Sequence, residues 1–199
     1  MVRLRKLLLL GEHTCPWWFV HAFDNPARRL LQDPRAILGG LVEEGQTVVD
    51  VGCGAGFFSL ALAGMVGPEG KVLGVDIQAK MLEMARRRAR HRGLEGRIEF
   101  RLSEPARLGL QGPVDFVLAF WMVHEVPNQA GFLGEIKSIL KPAGRLLLVE
   151  PKVHVSKARF EKTVELAGVS GFEVSPGPKV RFSRSALCAV KAPGVGQGP

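Results

Sequence analysis

Two aspartates sit at the ends of short apolar runs. Asp50 lies in TVVDV, Asp76 closes KVLGVD, and the first run leads directly into Gly52, Gly54 and Gly56. Glycine has no Cβ, so a G-x-G-x-G turn can bend sharply and let a ligand approach its backbone. A helix starting near Gly56 would aim its free N–H groups into the same crevice. The chain has no G-x-x-x-x-G-K-[ST] run, which disfavours a triphosphate. Phe57 stands where a dinucleotide fingerprint needs its third small residue, and Asp50 would repel a pyrophosphate. An acid there suits a cationic ligand, and one ending the second run can accept both hydroxyls of a ribose. A ribonucleoside with positive charge and no phosphate meets these demands. S-adenosylmethionine, with its sulfonium and ammonium, is such a molecule.

Transfer of a methyl group from that molecule needs a general base only if the acceptor must lose a proton. His124, in FWMVHEV, is the candidate, since an imidazole can take a proton near neutral pH. A histidine supporting the turn into the next helix would look the same in sequence. Trp17, Trp18 and Phe23, with Phe19, form an aromatic cluster near the N-terminus. Such a cluster either covers the reacting groups as a lid or packs a helix on the core. The three cysteines, Cys15, Cys53 and Cys188, are far apart and lack metal-ligand spacing, so no metal is expected.

The elements that must position these residues alternate. Apolar runs at 47–51, 72–75, 98–102, 114–120 and 145–149 read as strands, with helical patterns at 57–64, 79–91 and 129–140 between most of them. Alternation of this kind predicts a parallel sheet covered by helices on both faces. Only about one helical turn fits between the third and fourth strands. After a helix near 158–168, GFEV and KVRFSRSALCAV are separated only by SPGP, so they must pair antiparallel. The fold class predicted is therefore α/β, a Rossmann-like doubly wound sheet of seven strands, mostly parallel with an antiparallel C-terminal hairpin strand. Residues 1–45 read as an N-terminal helical lid segment, 46–191 as the catalytic domain and 192–199 as a disordered tail.

Four stretches in order, VVDVGCGAGFFSLALA, KVLGVDIQAKMLEMAR, VDFVLAFWMVHEV and ILKPAGRLLLVEPK, resemble class I S-adenosylmethionine-dependent methyltransferases. The nearest group is the quinone-biosynthesis and arsenite-methyltransferase-like type. The resemblance implies that Asp50, Gly52, Cys53 and Gly54 border the methionine part of the cofactor and that Asp76 holds the ribose. It places Ile77 and Met81 on the adenine and Glu104 at its amino group. Phe120 then lies beside the transferred methyl, with Trp121 next to the acceptor. Pro105 departs from the family, which commonly supplies a backbone N–H there; proline has none, and Ser103 is the substitute donor.

The chain has 199 residues and a net charge of +8. Its basic helix, with Arg86, Arg87 and Arg90 on one face, reads as a solvated surface or as a phosphate-contacting one. Leu7–Leu10 is too short for the apolar core of a signal peptide, and no stretch is long and apolar enough to span a bilayer. The reading is a cytoplasmic enzyme with a small-molecule acceptor. The alternative is a methyltransferase or binding module acting on RNA or another macromolecule.

Overall fold

The computed structural model describes Arg28, residues 31–105 and residues 107–190. The expected lid aromatics Trp17, Trp18 and Phe23 and the tail 192–199 lie outside the described residues. A short helix α1 (Pro34–Leu38) precedes β1 (Thr47–Val51), α2 (Phe57–Met65), β2 (Lys71–Asp76), α3 (Ala79–His91) and β3 (Ile98–Leu102). Then follow β4 (Val114–Phe120), a 3-10 turn (Val123–Glu125), α4 (Gln129–Ile139), β5 (Leu140–Pro151), α5 (Lys157–Val169), β6 (Phe172–Pro176) and β7 (Ser183–Val190).

The seven strands form one sheet in the order β3-β2-β1-β4-β5-β7-β6. Strands β1 to β5 pair in parallel, and β7 runs antiparallel between β5 and β6. The predicted architecture holds, and among the described residues the connection from β3 to β4 forms no helix, where the spacing left room for about one turn.

Successive side chains of a strand point to opposite faces, and both faces are covered. Val48, Phe116, Leu118, Leu147 and Val149 pack with Leu62, Leu82, Ala85 and Ala89 from α2 and α3. Val49, Val117, Ala119, Leu146 and Leu148 pack with Leu133, Ile136 and Ala167 from α4 and α5. Each of the Val, Leu, Ile and Phe side chains removed from water contributes about 1.5–3 kcal/mol. The central strands therefore form a stiff base for whatever their carboxyl ends carry.

Caps set several helix starts. Asn128 accepts from the Gly131 N–H at the head of α4, and Ser156 accepts from Arg159 at the head of α5. Several boundaries differ from the sequence reading by a residue or more, and two of the differences have a clear cause. Helix α4 stops one residue early because Leu140 is buried and pairs with Val114, so KPAG belongs to a long β5. Strand β7 begins at Ser183 rather than Lys179, because the chain from Gly177 to Phe182 forms a broad turn, tied by a hydrogen bond from Ser185 Oγ to the Pro178 carbonyl. Among the described residues no helix is long and apolar enough to cross a membrane.

Candidate functional site

Strand order reverses direction between β1 and β4, and the crevice of a doubly wound sheet opens at the carboxyl ends of those strands. Three parallel strands deliver an acid to this edge: Asp50 on β1, Asp76 on β2 and Glu150 on β5, all buried. A cavity of about 80 Å³ lies beside the glycine turn, lined by Asp50, Gly52, Gly54, Phe57, Phe58 and Phe120 among others.

The three glycines turn out to serve different ends. All have positive φ. A Cβ on Gly52 would stand 2.9 Å from the Met122 side chain, and one on Gly56 would stand 3.2 Å from Ala85. Only at Gly54 would it meet open space within 4 Å. Gly52 and Gly56 thus permit close packing, and Gly54 alone leaves room for a ligand against the backbone.

Asp76 locks this turn. Its Oδ2 accepts from Gly54 N–H at 2.8 Å and its Oδ1 from Gln78 N–H at 2.9 Å. Each carboxylate oxygen retains a second lone pair. Burial raises its pKa, against the pull of the backbone donors at Gln78, Gly54 and Ile77. Ile77 follows with 37% of its surface exposed, an apolar shelf at the end of β2. Met81 is buried in the first turn of α3. Ser103 donates its N–H to the Asp76 carbonyl at 3.0 Å, and exposed Glu104 closes a tight turn by backbone bonds to Arg107. The Ser103 N–H is committed to that bond, so its hydroxyl is the donor it has left to stand in for the missing N–H of Pro105.

Asp50 receives a 2.6 Å hydrogen bond from Ser59 Oγ. Burial pushes its carboxyl from the ordinary 3.8 up to about 7; the Ser59 bond opposes this, and Asp76 adds to it. Burial likewise raises the Cys53 thiol, so Cys53 is a packed wall residue rather than a nucleophile. For Asp50, the folded state holds a proton that the unfolded chain releases near 3.8. Stability from this group is present below that value and falls as pH rises through about 7. Asp50→Asn should flatten this slope. In thermal melts from pH 4 to 8, the variant gains on the wild type as pH rises. A constant difference would mean that Asp50 is not titrating in this window.

Sequence reasoning missed Arg28. Its guanidinium lies 4.3 Å from the Phe57 ring centroid and 5.9 Å from those of Phe58 and Trp121. It also lines the cavity with Asp50 and lowers that carboxyl's pKa. Phe58 and Phe120 complete the aromatic wall, with centroids 4.3 Å apart. The crevice therefore already accommodates an organic cation among rings and a buried acid.

The family profile of the methyltransferase domain matches residues 42–171, which include every strand from β1 to β5 and the whole crevice edge. The chain belongs to the methyltransferase-domain family. The expected class I S-adenosylmethionine-dependent type agrees with this membership, and S-adenosylmethionine is the cofactor class of the domain. The demethylmenaquinone methyltransferase of Symbiobacterium thermophilum is 36% identical over 53% of this chain and 43% of its own length. The ubiquinone/menaquinone biosynthesis C-methyltransferase of Haemophilus ducreyi is 31% identical over 68% of this chain and 51% of its own. The chain thus spans about half the length of these curated relatives. A crystal structure of a SAM-dependent methyltransferase from Aquifex aeolicus superposes with a TM-score of 0.78, at 28% identity, over 89% of this chain and 100% of that one.

In this methyltransferase domain His124 lies in the turn after β4, where its Nδ1 is 2.5 Å from Glu150 Oε2. Glu150 Oε1 accepts from Val123 N–H at 2.8 Å and from His124 N–H at 3.3 Å. The His154 ring stacks parallel to His124 at 6.2 Å, and the Arg159 guanidinium holds the His124 carbonyl at 2.7 Å. Glu150 was not singled out in the sequence. Its signal was available: like Asp76, it is an acid at the end of an apolar strand. Trp121, with φ of 61°, donates Nε1–H to Ser183 Oγ at 2.9 Å and stacks beside Phe120. Of the basic face on α3, Arg86 is committed to the Phe100 carbonyl at 2.6 Å. Among the described residues no cluster of three or more His, Cys, Asp or Glu could hold a metal.

Proposed function

We propose that the domain moves the methyl group of S-adenosylmethionine to a compact small-molecule acceptor by in-line displacement. The observation that carries this is the crevice itself: open backbone at Gly54, flanked by buried acids and aromatic rings and already housing a guanidinium. That donor set fits a sulfonium and an ammonium. The cavity of about 80 Å³ takes one end of such a cofactor, and the exposed shelf of Ile77 takes the other.

When bound, the cofactor supplies an electrophilic methyl activated by positive sulfur. Gly52, Cys53 and Gly54 border its methionine end, and Asp50 offsets its charge. Asp76 accepts the ribose hydroxyls while holding the turn. Ile77 and Met81 flank the adenine, with Ser103 and Glu104 at its edge. Phe120, Phe58 and Phe57 exclude water around the methyl. Arg28 meets the cofactor's carboxylate end or yields its place, and residues 1–45, with Trp17, Trp18 and Phe23, act as the lid segment to which it belongs. Trp121 borders the acceptor. Glu150 holds His124 with Nδ1–H toward itself, which leaves Nε2, 4.0 Å from Glu125 Oε1, to take the acceptor's proton.

The curated relatives are named for demethylmenaquinone and for ubiquinone/menaquinone biosynthesis, which supports a small-molecule acceptor here. The net charge of +8 favours RNA as the second reading, with Arg87 and Arg90 on α3 as phosphate contacts. Calorimetry with S-adenosylhomocysteine and with NAD tests the assignment. Micromolar binding of the first and none of the second is expected; the reverse result removes it. RNA affinity that tightens when the cofactor is bound would favour the second reading.

A further inference from the structure

The turn between β6 and β7 builds a second concavity at the same edge of the sheet. It is an open groove of about 560 Å³, lined by Lys152, Lys179, Arg181, Phe182 and Ser183 with the Gly177–Val180 backbone. Two bonds tie it to the crevice. Lys152, next after β5, donates its N–H to the Phe182 carbonyl at 2.9 Å, and Ser183 accepts from the Trp121 indole. Trp121 thus links the two: its ring meets Phe120 of the crevice wall, and its indole N–H bonds Ser183 of the groove.

Three cations line this groove and no carboxylate does. Among the described residues none of the three is ion-paired, whereas Lys141, Lys157 and Arg101 each have an acidic partner. Like charges gathered in a concave wall focus a positive potential into it. The frame beneath is fixed: Val180 is buried in the main core, and Ser185 Oγ holds the Pro178 carbonyl. Phe182 is 56% exposed, and its φ of 59° is a conformation that a bulky residue keeps only under constraint. Its ring lies at the rim beside the Arg181 guanidinium, 5.3 Å away.

We infer that this groove seats an anionic group, a carboxylate or phosphate, of a planar methyl acceptor whose ring lies between Phe182 and Trp121. The inference rests on the methyltransferase reading above and names its substrate class. A neutral quinone would leave the three charges without purpose. An RNA track is disfavoured by topology, because α3, with Arg87 and Arg90, packs on β2 and β3 at the opposite end of the sheet.

Protein saturated with S-adenosylhomocysteine is titrated, at one ionic strength, with 4-hydroxybenzoate, 4-hydroxybenzamide, phenyl phosphate and inorganic phosphate. At least one aryl anion should bind about tenfold tighter than the amide. The preferred anion then separates carboxylate from phosphate. A Lys179→Gln/Arg181→Gln pair should weaken it about tenfold, while an Arg87→Gln/Arg90→Gln pair, with the same charge lost, should not. The affinity for S-adenosylhomocysteine should stay unchanged in both. Equal binding of anions and amide, or equal loss in both variants, would overturn the groove with the cofactor site intact. Salt-steep binding of a short RNA through Lys179 and Arg181 would overturn it too. Failure to bind S-adenosylhomocysteine at all would instead remove the reading beneath it.

Discussion

Asp76→Ala should weaken S-adenosylhomocysteine by about 1–3 kcal/mol, a factor of roughly 5 to 150 in Kd. Two effects add. The ribose loses a charged acceptor, and the Gly54 and Gln78 N–H groups lose the oxygens that hold the turn open. The parts can be separated. Wild type should prefer S-adenosylhomocysteine over its 2′-deoxy counterpart about tenfold, and Asp76→Ala should not discriminate between them. Asp76→Asn, which keeps one acceptor for the two backbone donors, should fall between. If the variant retains the preference for the 2′-hydroxyl, Asp76 only braces the glycine turn and the ribose lies elsewhere.

His124→Ala is expected to reduce kcat by about 10² to 10⁴ while leaving the cofactor Kd near the wild-type value, the range for loss of a positioned general base. On the proposed mechanism Glu150 acts through His124, as a positioning residue. Glu150→Gln keeps the shape and an acceptor for Val123 N–H, but it can turn an amide donor toward Nδ1 and so favour the wrong tautomer. It should lower kcat with little change in KM and shift the acidic limb of the pH–rate profile, which reports the base. Glu150→Ala is a poorer probe. It leaves buried donors unsatisfied at a position only 1% exposed and should cost about 1–3 kcal/mol of stability per unpaired group. If His124→Gln retains full kcat with an unaltered pH profile, the imidazole supports the turn and the acceptor needs no base.

The contrast between Asp76 and Glu150 marks how far the residues alone could carry the reading. Asp76 was legible because it ends a strand at a set distance from a G-x-G-x-G turn, a local pattern whose chemistry is short-range. Glu150 ends a strand in the same way, but its partner His124 comes from the turn after β4, and only the parallel pairing of β4 with β5 brings them together. Arg28 was hidden for a related reason. Its neighbours Phe57, Phe58 and Trp121 come from α2 and the end of β4, so no local pattern marks it.

By itself, then, the order of residues determined the alternation of strands and helices, the antiparallel hairpin at the end, the short connection before β4 and the kind of ligand the first turn suits. These follow from hydrophobic period, from connection length and from the stereochemistry of glycine, all of which act within a few residues. The tertiary structure decided which glycine keeps open space above it, which acid is driven up to about 7 by burial, and which concavity gathers three cations. Those depend on what distant segments place against a residue, because desolvation and the sum of nearby charges are properties of the packed neighbourhood rather than of the chain.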